Sequence, residues 1–166
     1  MNIGLLGFGV VGGGVWELAQ ENRALNVKKV LVRREAPSLG KAAVQDVEAI
    51  LRDTEIDTVV EVLGGLHPAY EWICRALAAG KDVVTANKAV ISAYYRELTA
   101  LARENGVALR CTAAVGGGIP WLVNLQRCRR VDTVTEVGGI MNGTTNFIMD
   151  AMARQGADFP AVLQRA

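Results

Sequence analysis

The stretch Met1–Leu18, MNIGLLGFGVVGGGVWEL, constrains this chain more than any other. Asn2–Leu6 is a short apolar run suited to a buried parallel strand. Gly7, Gly9 and Gly12 follow at G-x-G-x-x-G spacing, and Val15, Leu18 and Ala19 then carry a helical period over about Gly13–Glu21. In that order each glycine has a task. Gly7 permits the tight turn out of the strand. Gly9 lets a diphosphate approach the main chain with no Cβ in the way, and Gly12 lets the helix pack close to the sheet. The anion then rests on unpaired N–H groups at the positive end of the helix. Such spacing also occurs in turns that bind nothing. A strand before it and a helix after it are what point to a dinucleotide.

The next segments extend this pattern. Val27–Val32 reads as a second strand. About 20 residues past the glycines, dinucleotide folds commonly carry an acid that accepts hydrogen bonds from the adenosine ribose. Here Arg33 and Arg34 stand instead. Guanidinium groups offer forked donors to a 2′-phosphate that an acid would repel, so the pair tilts the cofactor toward NADP over NAD. Glu35 beside them works against that preference, and arginines at a strand end are also ordinary solvated surface. Ala36–Lys41 is a loop, Val44–Arg52 has helical spacing, and Ile56–Leu63 is a third buried strand ending at Gly64–Gly65. In such sheets ligands lie over the carboxyl ends of the strands, which gives Gly64 a place in the cofactor site.

His67 reads as a loop or capping residue, and Pro68 suits the first turn of a helix over about Ala69–Ala79, stopped by Gly80. Lys81–Thr85 is the next strand, with Lys88 just past its end, where it reaches cofactor or substrate oxygens or simply solvent. Tyr94–Asn105 is an amphipathic helix ended by Gly106, and Val107–Ala113 is a further strand. This alternation predicts an α/β fold with a doubly wound parallel sheet.

At Gly116 the pattern changes. Gly116–Pro120 is a second glycine cluster at a strand's end, and Trp121–Arg127 is a helix whose solvated end carries Arg127, Arg129 and Arg130. Val131–Met141 alternates polar and apolar residues, as a half-exposed strand does. Asn142–Asn146, NGTTN, is a turn that opens a helix to about Gln155; it caps that helix or presents polar groups to a ligand. Asp158–Ala166 begins another helix, with a cap and a proline. About 50 residues after Gly116 do not readily close a second core, so the chain reads as cut short.

Composition narrows the function classes. A chain of 166 residues is one domain, or one plus part of another, and 51% hydrophobic residues suffice for a packed core. A net charge of +1 offers no field for nucleic acid or an acidic membrane surface. No apolar run approaches the ~20 residues that cross a bilayer. Met1 leads straight into the first strand, leaving no room for a targeting peptide, so a cytoplasmic location is expected. Cys74, Cys111 and Cys128 lack C-x-x-C spacing and His67 is the lone histidine; buried reduced thiols are expected, not a zinc site.

Several separated motifs, in order, give the chain a family resemblance. They are GFGVVG at Gly7–Gly12, VVEVLGG at Val59–Gly65, GKDVVTANKAVIS at Gly80–Ser92, AVGGGIP at Ala114–Pro120 and GIMNGTTNFIM at Gly139–Met149. Together they resemble homoserine dehydrogenases. The resemblance implies hydride transfer between L-homoserine and L-aspartate 4-semialdehyde with NAD(P), on the route to threonine, methionine and isoleucine. It implies a Rossmann nucleotide domain over 1–114 and, over 115–166, part of a mixed α/β domain for substrate binding and homodimerisation. Carried over by position, Phe8, Gly9, Val10 and Val11 line the diphosphate turn, and Arg33 falls where NADP-using members place a basic residue. Thr85 and Lys88 lie beside the nicotinamide end, and Gly143 and Thr144 contact the amino-acid substrate.

The resemblance also implies a structural sodium ion on main-chain carbonyls, here those of Thr112, Val115, Gly117 and Ile119. Relatives usually carry glutamate at the place of Thr112; the carbonyl survives that change and a neighbouring negative charge is lost. The family's catalytic lysine and the acids that hold homoserine match no residue here and are expected beyond Ala166, so the chain alone is expected to turn over little or no homoserine. A non-catalytic NADP-binding module is the alternative.

Overall fold

The alternation along β1 (Asn2–Leu6) sets the layers. Ile3 and Leu5 join one buried cluster, while Leu6 joins another on the opposite face of the sheet. Gly4 shares the Leu6 face, where a Cβ would collide with Ile50. The structure, a computed structural model, describes residues 1–166. Five further strands lie parallel to β1: β2 (Asn26–Leu31), β3 (Ala43–Val44), β4 (Thr58–Glu61), β5 (Asp82–Thr85) and β6 (Leu109–Arg110), in the order β3-β2-β1-β4-β5-β6. The helices are α1 (Val10–Glu21), α2 (Glu48–Leu51), α3 (Ala69–Ala78), α4 (Lys88–Glu104), α5 (Trp121–Cys128), α6 (Gly143–Gln155) and α7 (Phe159–Arg165).

Both faces of the sheet are covered. Ala19 of α1 packs with Ile3, Leu5, Val30 and Val60 on one side. Ile50 of α2, Ile73 and Leu77 of α3 and Leu98 of α4 pack with Leu6, Val59 and Val83 on the other. Strands buried on both faces read as continuous apolar runs, which is why they stand out in the sequence. This is the expected doubly wound, Rossmann-type α/β architecture.

The chain divides into two compact units, Met1–Val123 and Asn124–Ala166. The second is thinly packed: Ile148 and Ala151 of α6 and Val162 of α7 are its buried cluster. Within it, the Asn142 side chain accepts the Thr145 amide at 2.9 Å to cap α6, and Gly156 ends that helix with φ 60°.

Several expected elements differ. Val131–Met141 is irregular and exposed, not a half-exposed strand. The other elements of its unit are helices, and a strand without a neighbour has nowhere to place its ladder hydrogen bonds. Val107–Ala113 shrinks to the edge strand β6, which pairs only through Leu109 and Arg110 before the chain turns at Thr112–Ala114. The helix over Val44–Arg52 is only α2, because Ala43–Val44 adds a sixth strand beside β2 and the Asp46 side chain turns the chain by accepting the Glu48 amide. A short 3-10 turn, Pro37–Ala42, takes up most of the Ala36–Lys41 loop and extends one residue beyond it. α4 begins at Lys88 instead of Tyr94, capped by Asn87, with a non-helical residue at Tyr94 (φ −127°, ψ 15°) that splits its periodicity. Asp158 stands at the N-cap of α7, but its side chain makes no cap bond.

Candidate cofactor site

β1 has β2 on one side and β4 on the other, so the strand order reverses there, where ligands of open α/β sheets bind. A cleft of about 850 Å³ opens at that point. Its walls come from the turn after β1 (Gly7, Phe8, Gly9), the end of β2 and the loop beyond (Leu31–Ala36), Gln45 after β3, Val62 and Leu63 after β4, Pro68 at the N-cap of α3 and Trp72 within that helix. The volume is of the size that cofactor sites commonly occupy.

The glycine turn is built as its spacing predicts. Gly7 sits at φ 106°, a region L side chains rarely adopt, and donates to the Leu31 carbonyl at 3.3 Å. A Cβ on Gly12 would run into the Gly7 carbonyl, so only glycine lets α1 start this close to the strand. Gly9 is different: a Cβ there would meet nothing within 4 Å. Internal packing therefore does not require glycine there. α1 starts at Val10 with no side-chain cap and no acid in its first turn. Its leading N–H groups therefore lack partners inside the helix and are free for an anion. Val10 is 95% exposed beside them.

Arg33 and Arg34 are both exposed on the cleft wall. Neither takes part in any of the protein's ion pairs, which use Lys28, Lys29, Arg52, His67, Arg75 and Arg154. Glu35 lines the same cleft. The structure thus brings Gly7, Phe8, Gly9 and Arg33 together, with Val10, Val11 and Gly12 following directly as the first turn of α1. Gly64, Thr85 and Lys88 lie outside the cleft lining, at the carboxyl ends of β4 and β5. Gly64 is exposed at φ 77° and Lys88 is exposed at the start of α4. Thr85 is fully buried, its hydroxyl donating to Glu61 at 2.6 Å.

Sequence reasoning passed over Glu61 and Asn87, which form a buried network with Thr85, and over Pro68 and Trp72 as cleft wall. A glutamate inside the apolar run VVEVL was a signal for the first, and an asparagine directly before α4 for the second.

The remaining candidates are dispersed. Gly143 and Thr144 are exposed at the start of α6, in the second unit. Thr112, Val115, Gly117 and Ile119 lie along a winding segment in which Gly116 and Gly117 have φ 83° and 59°. There the Thr112 carbonyl accepts the Val115 amide at 3.2 Å and the Ile119 carbonyl the Trp121 amide at 2.7 Å. No group of three or more His, Cys, Asp or Glu side chains is placed to hold a metal. Cys111 is buried and Cys74 half-buried, and burial pushes both thiols up. Cys128 is exposed instead, since α5 buries no residue. His67 joins Glu71 at 2.6 Å, one turn along, as a loop residue would.

Known proteins are similar to this chain in sequence and fold. The family model described as "Homoserine dehydrogenase, NAD binding domain" matches residues 7–112, and a second, "Homoserine dehydrogenase", matches 120–166. The chain belongs to the homoserine dehydrogenase family. It is 42% identical to the homoserine dehydrogenase of Synechocystis sp. and 36% identical to that of Bacillus subtilis, in each case over 100% of this chain. It spans only 41% and 42% of the length of those two relatives. A crystal structure of a homoserine dehydrogenase from Thiobacillus denitrificans superposes with a TM-score of 0.90 at 38% identity, covering 100% of this chain and 42% of that one. A hyperthermophilic archaeal homoserine dehydrogenase in complex with NADPH gives 0.82 at 25% identity, over 99% of this chain and 60% of that one. No helix is long and apolar enough to cross a membrane.

Proposed function

We propose that the cleft binds NADP and serves the interconversion of L-homoserine and L-aspartate 4-semialdehyde. The observation that carries this reading is a pair of exposed, unpaired arginines sharing one cleft with an uncapped glycine turn. The residues fit the cofactor. The turn Gly7–Gly9 and the first amides of α1, at Val10, Val11 and Gly12, take the diphosphate. Arg33 takes the 2′-phosphate, which separates NADP from NAD. Gly64, Thr85 and Lys88 attend the nicotinamide end. The bound nicotinamide supplies the hydride donor or acceptor; this chain's residues bind and orient it.

In the same reading 1–114 is the nucleotide domain and 115–166 belongs to the substrate and dimerisation domain, a division supported by the two matched segments. Gly143 and Thr144 contact the amino-acid substrate. A sodium ion rests on the Thr112, Val115, Gly117 and Ile119 carbonyls; Thr112 and Ile119 each accept one amide and keep a lone pair for it. The whole protein pairs as a homodimer, in keeping with the exposed Val131, Ile140 and Met141. Three free cysteines suit a reducing compartment, the cytoplasm.

Titration of the chain with NADPH and NADH tests the cofactor reading. Arg33→Ala is expected to weaken NADPH about tenfold and to leave NADH within about twofold. Equal losses for both would remove the 2′-phosphate assignment. Purified chain given homoserine and NADP is expected to form little or no NADPH, because no residue matches the family's catalytic lysine; robust turnover would contradict that.

A further inference from the structure

Glu61 ends β4, Thr85 ends β5 and Asn87 precedes α4, and all three are buried polar residues, at 0%, 0% and 4% exposure. The Glu61 carboxyl accepts the Thr85 hydroxyl at 2.6 Å, the Leu63 amide at 2.8 Å and the Asn87 side-chain amide at 3.3 Å. Thr85 Oγ1 accepts the Asn87 main-chain amide at 3.0 Å. The Asn87 Nδ2 donates to the Gly65 carbonyl at 2.7 Å, and its Oδ1 accepts the Val90 amide at 3.2 Å. No buried side-chain nitrogen or oxygen lacks a partner.

Burying a carboxyl group is costly until hydrogen bonds offset it, so an apolar residue would serve packing as well. What the network adds is reach. Gly64 and Gly65 have φ 77° and 75° and pack no side chain, so they are costly to order. Asn87 ties their turn to the core. The same asparagine caps α4 and so fixes where Lys88 starts. One cluster therefore sets the spacing of two exposed segments at the carboxyl edge.

Resting on the NADP reading above, we propose that Glu61, Thr85 and Asn87 are positioning residues: they hold the Gly64–Gly65 turn and the Lys88 end of α4 in register for the nicotinamide end of the cofactor, without touching it through their side chains.

The test measures NADPH and adenosine 2′,5′-bisphosphate, which lacks the nicotinamide end, on the same chain by calorimetry. Asn87→Ser keeps a helix cap but cannot reach Gly65. Thr85→Val keeps the shape and loses the hydroxyl, and Thr85→Ser keeps the hydroxyl. Asn87→Ser and Thr85→Val are each expected to weaken NADPH about tenfold, with the bisphosphate within about twofold and Thr85→Ser restoring NADPH. Parallel losses of both ligands, or no loss of either, would overturn the proposal. If the unaltered chain bound neither ligand, the NADP reading would fall and this one with it. If it bound both and the variants matched it, only the positioning role would fall. Should Thr85→Val not fold, Asn87→Ser decides, with amide exchange at Gly64–Leu66 in the ligand-free chain as a second readout: faster exchange supports the tie and unchanged exchange removes it.

Discussion

Along the amino edge of the sheet, Lys81 donates to the Asp53 and Ile56 carbonyls at 2.6 and 2.7 Å, Asp57 accepts the Asn2 amide at 2.9 Å, and Lys29 pairs with Asp53 at 2.8 Å. Along the carboxyl edge, Arg33, Arg34 and Lys88 stand exposed, and Gly7, Gly64 and Gly65 hold positive φ. The first edge satisfies its polar groups internally. The second keeps donors and open backbone facing outward, at the cost of ordering glycines. Strands of one sheet thus end in internal pairing on one side and in exposed donors on the other, and under the proposed cofactor reading substitutions at the two edges are expected to separate folding from binding.

The two glycines flanking the start of α1 give the sharpest form of that separation. Gly12→Ala drives a Cβ into the Gly7 carbonyl and is expected to cost about 3 kcal/mol, read as a lower melting temperature, with NADPH binding lost as the turn opens. A variant that melted like the unaltered chain would show that the helix shifts freely. Gly9→Ala comes next in size and opposite in kind. Its Cβ meets nothing and its φ of −87° suits alanine, so stability is expected to stay within about 0.5 kcal/mol. NADPH affinity is expected to fall about 100-fold, because the methyl group occupies the diphosphate's approach. Unchanged affinity in calorimetry would place the nucleotide elsewhere.

The same contrast explains what was legible in the sequence. Buried parallel strands and glycine turns leave local marks, so β1, the Gly7–Gly12 turn and the arginines after β2 could be read directly. Glu61 and Asn87 leave only a partial mark, an acid in an apolar run and an asparagine before a helix, but not their pairing: the partners that join them are 24 and 26 residues away in the chain, and only the parallel pairing of β4 with β5 brings them together. Val131–Met141 failed for the reverse reason. Its alternation is a local strand signal, but a strand forms only beside another, and within Asn124–Ala166 there is none. Thr85 shows a third limit. Motif position puts it near the cofactor, while its 0% exposure turns its side chain inward.

Lys81 is the amino edge's counterpart to Gly9, with a smaller expected effect. It is 5% exposed, and its ammonium satisfies the Ile56 carbonyl, which an apolar side chain would leave unpaired, and is a second donor to the Asp53 carbonyl, which also accepts the Ile56 amide. Lys81→Met is expected to lower stability by about 2 kcal/mol while leaving NADPH affinity within about twofold. A parallel fall in affinity would mean that the two edges are coupled. Burial pulls the Lys81 pKa below its ordinary 10.5, against the attraction of Asp53 and Asp57. The folded chain therefore releases this proton at a lower pH than the unfolded chain does. Between the folded value and 10.5 the unfolded state binds more protons, so the Lys81 contribution to stability rises with pH across that window. Below it the full penalty of burying the charge persists. Melting curves of both proteins from pH 7 toward 10.5 are expected to show the unaltered chain gaining on Lys81→Met; a constant gap would mean that the lysine titrates as if it were in solvent.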